Sequence, residues 1–161
     1  MSEFSHLDEQ GRVRMVDVSE KAITVRTARA CGRVRMRAAT IAALRAGEVA
    51  KGNVLAVAKT AGILAAKRTA DLIPLCHPLL PEHIDLDFEL KPDGVAISSA
   101  VKLQGRTGAE MEALTAVAIA GLTIYDMCKA LDKDMVIGEI RLLEKTGGRS
   151  GPYRREEERD G

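Results

Sequence analysis

Between two prolines, the segment Asp71-Leu-Ile-Pro-Leu-Cys-His-Pro78 sets a thiol, Cys76, beside an imidazole, His77. Proline on either side restricts the backbone. His77 would therefore be held in one orientation, where it can donate a hydrogen bond or exchange a proton near neutral pH. The same run also fits a plain helix-to-strand linker with a surface histidine. Nothing in the sequence lowers the pKa of Cys76, which fits a small packed residue better than a nucleophile.

Further along, Tyr125-Asp-Met-Cys-Lys129 puts Asp126 and Lys129 on one face of a helix, within ion-pair reach. A lysine that keeps a carboxylate ionised makes a workable acid/base pair, and the spacing equally fits a solvated surface salt bridge. Glu110 and Glu112 lie at the other end of the same helix and point in different directions. Acidic residues there are explained first by the helix macrodipole. A basic set consists of Arg26, Lys51, Lys59, Lys67, Arg68 and Lys145, together with the loop Gly147-Gly-Arg-Ser-Gly151. Adjacent glycines let backbone N–H groups approach an anion, and flanking Lys and Arg supply charge, as phosphate binding requires. The spacing of a P-loop is missing, and a glycine-rich loop is also simply a flexible one.

These residues need elements to hold them. Ala22–Met36 alternates as extended structure; Ala38–Ala46 reads as a helix stopped by Gly47; Asn53–Leu72 reads as a second helix, ended by Pro74. Ile84, Leu86, Phe88 and Leu90 alternate with acids as a strand. The turn Lys91-Pro-Asp-Gly94, with proline to fix φ and glycine to accept a positive φ, returns it through Val95, Ile97, Val101 and Leu103. Ala109–Leu131 is the longest helical candidate, about 33 Å if continuous, and Met135–Leu143 reads as a last strand. The order β, α, α, β, β, α, β predicts an α+β fold, with helices on one face of a mostly antiparallel sheet. The ends, 1–17 and 152–161, carry no clear pattern and read as mobile tails.

With 161 residues, 46% of them hydrophobic, the chain suits one domain spanning 1–161. Only two Phe, two Tyr and no Trp are present, so platforms for stacking bases are scarce. A net charge of +1 exerts no global pull toward nucleic acid or an anionic membrane. The longest uninterrupted apolar stretches, such as Ala61–Ala66, fall short of the roughly 20 residues a membrane span needs, and the N-terminus has no signal pattern. Three widely spaced cysteines, Cys31, Cys76 and Cys128, indicate neither a disulfide framework nor a zinc site. A soluble, cytoplasmic protein with reduced thiols, no nucleic-acid partner and no membrane partner is the expectation.

Taken together the blocks resemble the MoaC family. The resemblance runs from Met15-Val-Asp-Val-Ser19 through Lys67-Arg-Thr69, Asp71–Pro78, Gly108-Ala-Glu-Met-Glu-Ala-Leu-Thr115, Leu122–Ala130 and Asp134-Met-Val-Ile-Gly138 to Lys145–Gly151. It implies a ferredoxin-like subunit, assembled as a homohexamer (a trimer of dimers) with active sites between subunits. The implied activity belongs to molybdenum cofactor biosynthesis: 3′,8-cyclo-7,8-dihydroguanosine triphosphate, a cyclised GTP derivative, is rearranged to cyclic pyranopterin monophosphate with loss of pyrophosphate. By similarity Asp126 matches the catalytic aspartate and Lys51 and Lys129 match acid/base lysines, while Leu75, Cys76, His77, Met111 and Glu112 match substrate-contacting positions. Arg26, Lys67, Lys145 and Arg149 are expected to bind substrate, the last three through its triphosphate, with Arg149 standing where the family more often has Lys. No resident cofactor or protein-bound metal is expected; whether a divalent cation accompanies the triphosphate stays open. The competing expectation is a nucleotide-binding oligomeric sensor of the same fold that turns nothing over.

Met111 and Asp126 are fifteen residues apart, about 22 Å along a continuous helix, too far for one compact pocket. If Met111 and Glu112 contact the substrate whose chemistry Asp126 supports, either a neighbouring subunit supplies one end or the helix breaks near Gly121. A face of Ala113, Ala116, Ala118, Ala120 and Gly121 favours close packing of a second chain.

Overall fold

A computed structural model describes residues 10–156. The ends of both tails lie outside the described residues.

The first strand, β1 (Thr24–Arg35), buries Arg26, Ala28, Ala30 and Val34 on one side and turns Val25, Arg29 and Arg35 outward, the two-residue period of a half-buried strand. It is central, pairing antiparallel with both β3 (Gly94–Gly105) and β4 (Val136–Thr146). The hairpin partner β2 (His83–Lys91) lies on one edge and β5 (Tyr153–Arg154) on the other, giving the order β2-β3-β1-β4-β5. This is the α+β, ferredoxin-like plan: an antiparallel sheet with helices packed against it.

The hairpin turn falls at Pro92-Asp93, with Lys91 opposite Gly94, but Gly94 is not in the left-handed region. Glycine is needed there for a different reason: a Cβ would run into the carbonyl of Val34 on the adjacent strand.

Helix α1 (Ala38–Ala46) closes on Gly47, as its sequence predicts. The next helix is two. In α2 (Val54–Lys67), Asn53 accepts from Ala56 N–H at 3.1 Å as the cap. At Arg68, with φ −118° and ψ 18°, the backbone leaves the helical region, and α3 (Thr69–Leu72) adds one turn before Pro74. The buried Thr69 hydroxyl bonds to the Ala66 carbonyl at 3.1 Å and reaches that of Ala65 at 3.4 Å, which also accepts the Arg68 N–H at 3.0 Å, so the acceptors at the break are served.

The longest helix, α4 (Glu110–Cys128), is unbroken at Gly121. It lies across β1, β3 and β4, and α2 packs against it and β2. Its small residues Ala113, Ala116, Ala120 and Gly121 are all buried, and Gly121 sits against Ile137, Val34 and Ile97 of the sheet. The alanine and glycine face is thus used inside the subunit, and the stripe left outward is different: Met111, Leu114, Ala118, Leu122, Asp126 and Lys129, of which Leu114 and Ala118 are half-buried. By length and composition α4 is apolar enough to cross a membrane; here it is the core helix, with ten of its residues buried.

Candidate active site

The C-terminal end of α4 carries one cluster. Asp126 accepts from the ammonium group of Lys129 at 2.8 Å through one carboxylate oxygen and from that of Lys51 at 2.8 Å through the other. Lys51 also donates to the Asp126 backbone carbonyl at 2.8 Å. The i, i+3 pair is therefore real, and a third group joins it from the loop between α1 and α2. That loop is held by Gly52 N–H on the Val49 carbonyl at 2.9 Å and by buried Val49.

Behind the cluster, Asp132 is buried. It accepts from Arg37 N–H at 2.9 Å, Thr40 Oγ1 at 3.3 Å and Asp134 N–H at 3.1 Å. It caps α1 from a distance and ties the segment carrying Asp126 and Lys129 to the segment leading to Lys51. The hydrogen bonds from Lys129 and then Lys51 bring the Asp126 carboxyl down to about 2, and the carboxylate in turn raises Lys129 above its ordinary value. Solvent screens exposed ion pairs and leaves them little effect on stability. What the cluster provides is an accessible carboxylate, ionised at all working pH, holding two ammonium groups about it.

A second cluster surrounds the N-terminal end of α4, where a cavity of about 430 Å³ is lined by Leu75, Cys76, His77, Met111 and Glu112. Loop segment 73–82, α4 and the N-terminal strap of Val16 and Val18 build its walls. The His77 Nε2–H donates to the Val16 carbonyl at 2.8 Å. This fixes the ring and leaves Nδ1 as its other hydrogen-bonding atom.

Glu112 is 3% exposed and its Oε2 has no partner. Burial, with the nearby charge of Glu110, raises its carboxyl to about 7. A neutral acid able to donate a proton thus coexists near neutrality with the ionised Asp126. Burial and then Glu112 push the Cys76 thiol up, so it is a packed wall residue and not an activated nucleophile.

The raised carboxyl has a measurable consequence for folding. Below pH 4.5 both folded and unfolded chains hold the Glu112 proton; between 4.5 and about 7 only the folded chain does, so stability falls as pH rises through this window. Glu112→Gln removes the penalty. The variant is expected to match the parent near pH 4 and to exceed it by about 3 kcal/mol at pH 8, read from urea unfolding. An unchanged gap between pH 4 and 8 would contradict the burial account.

Cations meet this cavity at its edge. Strand β4 continues through Lys145, beyond the Leu143 limit read from the sequence, because β1 pairs with it as far as Thr27 opposite Thr146. The Lys145 ammonium donates to Glu110 Oε1 at 2.8 Å and to Ser150 Oγ at 3.3 Å. Arg26 is 8% exposed and gives Nε–H to the Gly105 carbonyl at 3.3 Å and an Nη2 hydrogen to that of Arg106 at 3.2 Å. Gly147 and Gly148 cross its guanidinium at φ +92° and +84°. A Cβ at Gly148 would collide with that group, so both space and backbone conformation require glycine. Arg26 is the floor of the glycine loop. Lys67, in the last turn of α2, and Arg149, in the loop, are exposed and line neither cluster.

Apart from Lys67 and Arg149, the expected site residues therefore fall into two groups, about 22 Å apart along an unbroken α4. In sequence, Glu110 signals a helix-dipole charge alone, and the strap at Val16 shows only as part of the Met15–Ser19 block. Among the described residues no set of three or more His, Cys, Asp or Glu is gathered to hold a metal ion.

Residues 15–148 match the model of the MoaC family. The chain is 59% identical over 156 residues to the cyclic pyranopterin monophosphate synthase of Desulfitobacterium hafniense, covering 96% of each chain. It is 60% identical over 159 residues to that of Heliobacterium modesticaldum, covering 98% of this chain and 100% of the relative. A third, from Roseiflexus sp., is 57% identical over 155 residues, 95% of this chain and 98% of its own. With matches of this identity running nearly from end to end, the chain belongs to the MoaC family.

Proposed function

We propose that this chain acts in molybdenum cofactor biosynthesis as a lyase, converting the cyclised GTP derivative to cyclic pyranopterin monophosphate with release of pyrophosphate. The observation that carries this is the meeting of Lys51 and Lys129 on Asp126, both at 2.8 Å, with Lys51 reaching Asp126 across 75 positions of the chain. Opening a purine ring and closing a pyran ring both move protons. Lys129, held protonated by Asp126, is suited to donate one; Glu112, neutral until about pH 7, is a second donor on the opposite wall. Lys145, the loop over Arg26, and exposed Lys67 and Arg149 would meet the negative charge that develops as pyrophosphate leaves. A divalent cation, where one takes part, would arrive on the triphosphate.

Each site is shared between two chains. The outward stripe of α4 carries Met111 at one end and Asp126 and Lys129 at the other, with Leu114, Ala118 and Leu122 between them. A two-fold axis passing near Ala118 would lay this stripe antiparallel on its copy and bring Met111 of each chain toward Asp126 of the other. The apolar centre of the stripe supports that contact, and assembly of such dimers into a hexamer follows the family resemblance. Unpaired Cys31, Cys76 and Cys128 suit a cytoplasmic location.

The phosphate assignment has its own test. Pyrophosphate is expected to inhibit competitively, and the triple alanine variant of Lys67, Lys145 and Arg149 to bind it at least tenfold more weakly, with a reduced dependence on salt. Unchanged affinity in that variant, or no inhibition at millimolar pyrophosphate, would contradict it.

A further inference from the structure

Glu110 is positioned to compete for the very cation that the phosphate chain needs. Its carboxylate meets the Lys145 ammonium at 2.8 Å, and both side chains are only about a quarter exposed. The macrodipole of α4 leaves this geometry unexplained. The cap residue Ala109 offers no side-chain bond to the first turn, yet the Glu110 carboxylate goes to the ammonium of another element. There it stands at the rim of the cavity lined by His77 and Glu112.

We propose that Glu110 is a specificity-determining residue, a carboxylate that holds Lys145 until a polyanionic phosphate displaces it, and that takes the lysine back once pyrophosphate has gone. This rests on the reading of Lys145 as a triphosphate ligand.

The physical basis is competition for one cation between anions of unequal charge. A carboxylate tethered 2.8 Å away and partly shielded from solvent is a strong competitor for a singly charged anion. A triphosphate brings several charges and can also engage the glycine-loop N–H groups above Arg26, so it wins the exchange. The product keeps a single cyclic phosphate diester with one negative charge, and against it the carboxylate regains the lysine. The same side chain therefore rejects lower-charge phosphates on entry and favours release of product at the end, a selectivity made by adding a repulsive group. Ser150 can keep one hydrogen bond to the ammonium in either state, since Lys145 already reaches its Oγ at 3.3 Å.

Calorimetric titration of inorganic pyrophosphate and of orthophosphate into the purified protein tests this. Glu110→Gln is expected to bind pyrophosphate about fivefold more tightly than the parent and to gain more for orthophosphate, narrowing the preference between the two. Glu110→Asp keeps the helix-dipole charge but shortens the reach to Lys145, and is expected to shift the same way by a smaller factor. Both gains should vanish in a Lys145→Ala background. Equal or weaker pyrophosphate binding in folded Glu110→Gln and Glu110→Asp, or the same gain without Lys145, would overturn the proposal while leaving the phosphate site standing. Pyrophosphate binding in the parent that is indifferent to Lys145→Ala would overturn the site reading itself, and this proposal with it.

Discussion

Replacing Asp126 by alanine is expected to lower turnover by about a hundredfold or more, the usual scale for an acid/base group, with the protein still folded. Lys51→Ala and Lys129→Ala should do the same. All three side chains are about half exposed, at 57%, 47% and 52%, and the core is built elsewhere, from Val34, Leu86, Leu103, Val117 and Ile124. Circular dichroism and thermal melting should therefore barely move. A subtler variant separates charge from shape. In Asp126→Asn the hydrogen bonds that raise Lys129 are weakened, so Lys129 gives up its proton at lower pH. If Lys129 is the proton donor, the alkaline limb of the kcat profile shifts to lower pH in that variant. Near-parental turnover in the alanine variants would contradict the assignment of the cluster.

Complementation between two inactive proteins is the second large expected effect. Asp126→Ala damages the C-terminal end of α4 and Glu112→Ala the N-terminal end, and each homodimer lacks an intact site. If the proposed antiparallel dimer forms, one of the two sites in a hybrid draws both its ends from undamaged segments, the Met111 end of one chain and the Asp126 end of the other. Random exchange makes half the dimers hybrids with one good site in two, so recovery should approach about a quarter of parental activity. The helix geometry makes this demanding: α4 is unbroken at Gly121, so no bend inside one chain can bring the ends together. Verified subunit exchange with no recovery would reject the shared site.

Much of this was legible in local pattern. The alternation of Ile84, Leu86, Phe88 and Leu90 predicts β2, the turn after Lys91 predicts its hairpin, and the spacing of Asp126 and Lys129 predicts their 2.8 Å pair. What local pattern lacks is partners distant in sequence. Lys51 joins Asp126 across 75 positions, and Glu110 finds Lys145 only because β4 runs beyond Leu143 beside β1. Tyr153–Arg154 carries no strand pattern, and becomes β5 by pairing with Glu144 and Lys145. The break at Arg68 sits inside an unbroken helical pattern, since a threonine hydroxyl that can serve freed carbonyls does not announce itself. The small residues of α4 were visible, but a helix alone does not say which face is inward. The sheet and α2 take Ala113, Ala116, Ala120 and Gly121, leaving Met111, Ala118 and Leu122 on the outward stripe.

Turnover of the cyclised GTP derivative tests the account most directly. The purified protein, given that substrate alone, should release pyrophosphate and form cyclic pyranopterin monophosphate in equal amounts over many turnovers. Both products should fall by about a hundredfold or more in Asp126→Ala. Binding of the triphosphate with no pyrophosphate released and no pterin formed would contradict the account, and would identify the chain as a nucleotide-binding protein that performs no chemistry on its ligand.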